Sequence, residues 1–91
     1  MADNFRITSR KKGNSLYIKL WGDFDEISAT ELIYTLRDKV NTAEKIYVET
    51  DYMNNLYSLG RKAFKGNFDL SPELYDKIIF VGNNARQISP R

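Results

Sequence analysis

Ninety-one residues, 42% hydrophobic and 29% charged, are enough for one small folded domain over 1–91, with residues 1–4 as a flexible N-terminus. The chain has no cysteine, which excludes disulfides, thiolate metal sites and cysteine nucleophiles, and no histidine, which removes the commonest general base and zinc ligand. Fourteen basic residues against twelve acidic ones leave +2, too little by itself to argue for nucleic acid as a partner. The opening MADNFRITSR lacks the apolar core of a signal peptide, and position 2 is not the glycine of a myristoylation signal. No apolar run approaches the roughly 18 residues of a membrane span. These readings describe a cytoplasmic, non-enzymatic protein with no catalytic residues, cofactor or metal.

Residues 5–10 alternate, with Phe5 and Ile7 opposing Arg6 and Thr8, as in a strand with one wet face. Lys11-Lys12-Gly13-Asn14 is a turn, and residues 15–21 alternate again, Leu16, Ile18 and Leu20 opposing Tyr17, Lys19 and Trp21. Two such runs around a Gly-Asn turn predict a β-hairpin that ends at Gly22. Ser28 and Glu31 have the spacing of a capping box, and Ile27 and Leu32 that of a hydrophobic staple. Apolar residues then recur at Ala29, Leu32, Ile33, Leu36 and Val40 with helical period. KIYVET at 45–50 predicts a third strand. A short helix over 59–65 follows, with Leu59, Ala63 and Phe64 inward, ended by Lys65-Gly66-Asn67. Ser71-Pro72-Glu73 can open a further turn. IIFV at 78–81 reads as a strand covered on both faces, and the tail NNARQISPR as one more helical turn. The order β-β-α-β-α-β predicts an α/β fold with a mixed four-stranded sheet and its helices packed on one face.

Three stretches give this order a family resemblance. LWGDFD at 20–25 is similar to L-x-G-x-L-D, and SATELIYTLRDKV at 28–40 to A-x-E-L-x-x-x-L. Tyr57-Ser58-Leu59-Gly60 falls where an acidic-Ser-Ser-Gly segment opens a helix. Together they resemble the STAS family, which includes bacterial anti-sigma-factor antagonists and cytoplasmic domains of sulfate transporters. Ser58 and Gly60 match that segment, whereas Tyr57 stands for its acidic residue and Leu59 for its second serine. The family usually continues past its fourth strand with a helix, a strand and a final helix. Here nine residues follow Gly82, so the resemblance implies a fold abbreviated at the C-terminus or a second copy covering the sheet. It also implies a protein-interaction module, with Ser58 phosphorylated by a partner kinase. The partner would be an anti-sigma factor or a serine-kinase-like regulator, met through Tyr57, Leu59, Gly60, Arg61, Lys62 and Asp25.

Each candidate residue also has a plainer reading. Ser58 suits a helix N-cap, but phosphate at such a joint would also gain from unpaired N–H groups and from Arg61 or Lys62. Gly60 points to close packing on the helix's first turn, by a partner or by the chain itself. Asp23, Asp25 and Glu26 form an acidic corner that matches no calcium loop and reads as a solvated turn. Gly82-Asn83-Asn84-Ala85-Arg86 is a turn beyond a strand end, with one glycine where a phosphate loop needs several. Tyr52, Met53, Leu56 and Tyr57 are divided between core and partner patch. The alternative function is a small nucleic-acid-binding domain using the basic hairpin turn (Arg10, Lys11, Lys12) and the helix bearing Arg61, Lys62 and Lys65, beside Tyr17, Trp21 or Tyr47.

Overall fold

Gly13 and Asn14 join strand β1, Arg6–Lys12, to strand β2, Ser15–Phe24, in a two-residue hairpin with Lys12 opposite Ser15. Of the two turn residues only Gly13 takes positive φ, at 61°, the arrangement of a type II′ turn whose twist suits antiparallel strands. The computed structural model describes residues 4–90. The expected flexible N-terminus lies outside the described residues except for Asn4, whose Oδ1 accepts from the Asp23 N–H at 3.1 Å.

The remaining elements are helix α1, Glu26–Lys39; strand β3, Lys45–Glu49; strand β4, Met53–Leu56; helix α2, Ser58–Asp69; a 3₁₀ turn, Pro72–Leu74; strand β5, Ile78–Val81; and helix α3, Ala85–Ile88. The sheet runs β1-β2-β3-β5, antiparallel between β1 and β2 and parallel thereafter. The expected mixed α/β fold is present with one strand more. β4 pairs in parallel with the end of β2, through Gly22–Met53 and Phe24–Leu56, past the point where β3 stops. Its sequence, MNNL, hides it, because asparagine is depleted in strands and the alternation is lost.

Strand alternation divides the sheet into two faces. Leu16, Ile18 and Leu20 on β2, Ile46 and Val48 on β3, and Ile78 on β5 enter one core. Leu32, Ile33 and Leu36 of α1 meet them there, as do Phe64 and Phe68 of α2 and Ile88 of α3. The helices therefore share a face, as expected. The other face carries Arg6, Tyr17, Lys19, Trp21, Lys45, Tyr47, Glu49 and, on β5, Ile79 and Val81, with no element laid over it among the described residues. The IIFV strand, expected to be covered on both faces, is therefore covered on one only.

Two helix boundaries differ from expectation. β2 continues through Gly22, at φ 85°, to bury Phe24 completely. The helix therefore starts at Glu26, with Asp25 rather than Ser28 as its cap. Asp25 Oδ1 accepts from the Ser28 N–H at 2.9 Å and from the Ser28 hydroxyl at 3.0 Å, so Ser28 lies inside the first turn and is buried. The staple fails with the cap: Leu32 is buried but Ile27 is 48% exposed. α2 in turn passes through Gly66 instead of ending there, because Phe68, one turn after Phe64, is drawn into the core.

α1 and α2 run in the same direction. At their starts, Gly60 lies against the backbone of Phe24 and Asp25. At their ends, Arg37 Nε and Nη2 donate to Ser71 Oγ at 3.0 and 2.6 Å. Both helix N-termini therefore open at the same end of the molecule. The hairpin turn is at the other end, where the Glu44 N–H donates to the Asn14 carbonyl.

Candidate functional site

The site grows from the joint between β4 and α2. The Tyr57 N–H donates to the Phe24 carbonyl at 3.0 Å, which fixes the chain as it leaves the strand. Tyr57 then takes the cap position in extended backbone, with no side-chain hydrogen bond to the helix. Ser58 is accordingly the first residue of α2 rather than its cap, and it is exposed. Its hydroxyl is not spent on the helix end, and the first turn of α2 holds no acidic residue. The positive end of the helix dipole is thus left without a negative partner from its own first turn.

A shallow cleft of about 250 Å³ lies beside Ser58, walled by Arg61, Lys62 and Lys65 of α2 and by Ile88 and Pro90 of the returning tail. Arg61 Nε is buried there with no hydrogen-bond partner among the described residues. One hydroxyl, three cations and an open helix N-terminus therefore converge. Arg61 and Lys62 stand where the sequence reading put them. Lys65 lies one turn beyond Arg61 on the same side of the longer helix, and its Nζ pairs with Asp69 Oδ2 at 3.1 Å. The tail's part in the cleft leaves no trace in local sequence, because it depends on how α3 packs back onto α2.

Tyr57 and Leu59 flank Ser58 and are 50% and 59% exposed, and Ile27 is exposed on the first turn of α1 at the same end. Two of the expected contact residues serve the chain itself. Gly60 is buried, and a Cβ there would stand 2.6 Å from the Phe24 carbonyl oxygen. The close approach it permits is therefore that of α2 to the β2–α1 corner, not that of a partner. Asp25 is half-buried and caps α1, and its backbone forms the other half of that corner.

The remaining candidates are structural. Asp23 Oδ1 accepts from the backbone and side-chain amides of Asn55 at 3.2 and 2.9 Å, tying β4 to β2. The described residues contain no cluster of three carboxylates or other metal-binding side chains. After Gly82, at φ 102°, the Asn83 N–H donates to Asp51 Oδ1 at 2.6 Å and the Asn84 N–H to Thr50 Oγ1 at 3.1 Å. Those amides are occupied, so this is a turn rather than a phosphate loop. Met53 is buried, whereas Tyr52 and Tyr57 are exposed. The basic hairpin turn and the basic start of α2 do not form one surface. They lie at opposite ends of β2, whose ten residues span roughly 30 Å. Among the described residues, no helix is long and apolar enough to cross a membrane.

No protein-family model and no curated protein matches the sequence. Solved structures do match in shape. A structure of the anti-sigma-factor antagonist SpoIIAA in its unphosphorylated form superposes with a TM-score of 0.60 at 12% identity, over 92% of this chain and 79% of that one. An uncharacterised Shewanella loihica protein of the DUF3478 family, described as having a SpoIIAA-like fold, gives a TM-score of 0.63 at 9% identity, over 96% and 72%. A structure of Mglu gives 0.67 at 12% identity over 84% of this chain, which spans only 19% of Mglu. With its mixed sheet and its helices on one face, the chain has the fold of SpoIIAA, that of a STAS-like domain.

Proposed function

We propose that this chain is a non-enzymatic protein-interaction module of the anti-sigma-factor-antagonist kind, switched by phosphorylation of Ser58. The observation that carries the reading is the exposed Ser58 hydroxyl at an uncapped helix start, beside Arg61, Lys62 and Lys65. A phosphoryl group there brings roughly −2 charge to the open helix end, Arg61 and Lys62, whereas Lys65 is already paired with Asp69 at 3.1 Å. The helix accepts that charge, while a partner seated on Tyr57 and Leu59 meets it as repulsion and as a desolvation cost. The partner is a cytoplasmic regulator, an anti-sigma factor or a serine-kinase-like protein, that approaches the end where α1 and α2 begin.

The test is to purify the protein from its native cells and map its phosphopeptides by mass spectrometry. Modification at Ser58 is expected; phosphate elsewhere, or none in any growth condition, would sink the switch. A paired experiment compares co-purifying regulators for wild type, Ser58→Ala and Ser58→Asp. Capture should survive the alanine and fall at least about tenfold with the aspartate, the equivalent of ~1.4 kcal/mol.

A further inference from the structure

The face of the sheet turned away from the helices is lined with aromatic rings and cations. On β2 and β3, Tyr17 and Tyr47 stack with ring centroids 5.1 Å apart and planes at 15°. Further along, Trp21 and Tyr52 stack at 4.4 Å and 22°. The Arg6 guanidinium lies over the Trp21 ring at 5.6 Å, and Lys19 Nζ over the Tyr52 ring at 5.0 Å. Arg10 is registered opposite Tyr17, and with Lys12 and Thr8 it lines a hollow of about 510 Å³ over the strands.

Charge on this face is lopsided. Its strand positions carry Arg6, Arg10, Lys12, Lys19 and Lys45 against Glu49 and Asp23, and Asp23 is engaged by Asn55. That excess of +3 exceeds the formal net charge of +2 for the whole chain, so the remainder carries −1. The surplus of positive charge sits among the rings. A second copy is a poor occupant, because a two-fold contact sets the same cations against themselves. An apolar partner would have to strip water from five cations.

We propose that this face binds single-stranded nucleic acid, with bases stacked on the aromatic rings and phosphates held by Arg6, Arg10, Lys12 and Lys19. Flat rings on an open sheet accept any base through its π-face, while flanking cations follow the phosphate chain. No cation covers the Tyr17–Tyr47 pair among the described residues, so bases reach it directly. At the other pair Arg6 is exposed and can move from the Trp21 ring to a phosphate. The two pairs lie four residues apart along β2, roughly 13 Å, a span for a short run of nucleotides. A duplex keeps its bases stacked inside and cannot use the rings.

Trp21 is the only tryptophan and lies within the platform, so its emission reports binding at this face. The titrants are an oligouridylate of about ten nucleotides, its deoxy counterpart, a blunt DNA duplex and polyglutamate. Both single strands should quench Trp21, a difference between them showing whether the 2′-hydroxyl is read. Log affinity should fall with log salt at a slope of about −2 to −3 if three or four phosphates are neutralised. Tyr17→Ala or Tyr47→Ala should weaken binding about fivefold or more. The exposed pair Arg10→Gln/Lys12→Gln should lower the slope by about 1 to 2. Ser58→Asp should leave the titration unchanged, which separates this activity from the switch. Failure to quench at low salt, equal quenching by polyglutamate or duplex, or full affinity in folded tyrosine variants would overturn the proposal.

Discussion

A methyl group at position 60 would lie 2.6 Å from the Phe24 carbonyl oxygen and 2.8 Å from that of Asp25, both backbone atoms that cannot swing aside. Gly60→Ala therefore has to lift the first turn of α2 off the corner or strain the corner itself. The expected cost is about 1–3 kcal/mol in urea unfolding. Gly66 lies on the same helix, and a Cβ there meets nothing within 4 Å. Gly66→Ala should instead stabilise by about 0.5–1 kcal/mol, the ordinary helix-propensity difference. Opposite signs for one substitution in one helix isolate packing from propensity, and two stabilising results would mean that α2 does not rest on Asp25. Asp25 itself holds both the N–H and the hydroxyl of buried Ser28. Asp25→Ala should cost about 1–3 kcal/mol, because it leaves the N–H of buried Ser28 unpaired, while the Ser28 hydroxyl still donates to the Asp23 carbonyl at 3.0 Å. Asp25→Asn keeps an acceptor and should recover most of that loss on the same urea curve.

At the scale of an element, the start of α2 lacks both a side-chain cap and an acidic residue in its first turn. Ser58→Asp adds a carboxylate at that end and should raise stability by about 0.3–1 kcal/mol at low salt. The proposed switch requires the same variant to lose its partner, so thermal melts and capture assays should move in opposite directions. A Ser58→Asp protein that is both less stable and unable to bind would trace the loss to unfolding. The elements were legible wherever local pattern and packing agreed. The Gly13–Asn14 hairpin, the apolar period of α1 and the IIFV strand each carry their own signal. Boundaries were lost where the core outweighed local punctuation. Burial of Phe24 carried β2 past Gly22 and shifted the cap from Ser28 to Asp25, and burial of Phe68 carried α2 past Gly66. β4 was illegible because its pairing with the end of β2 is tertiary and its asparagines argue against a strand. The exposed serine could be read from resemblance and position. The cleft could not, since Ile88 and Pro90 reach it only through the fold.

At the scale of the whole molecule, where charge sits matters more than its sum. A net +2 spread over the surface argues for nothing, but an excess of +3 on one sheet face among aromatic rings defines a surface. The same cations bear on assembly. β1 is an edge strand of seven residues, long enough to template pairing with another copy. Arg6, Arg10, Lys11 and Lys12 stand along it, and two such edges brought together set these charges face to face. The second edge, β5, has only four residues. A homodimer through β1 or through the open sheet face is therefore opposed by repulsion that weakens as salt shortens the Debye length. Replacing Arg10 and Lys12 with threonine keeps strand propensity while removing half of the guard. That variant should associate with rising concentration in sedimentation velocity at a salt where wild type stays monomeric, and added salt should push wild type the same way. A wild-type dimer that tightens as salt is lowered would show that opposite charges, not these cations, govern how copies meet.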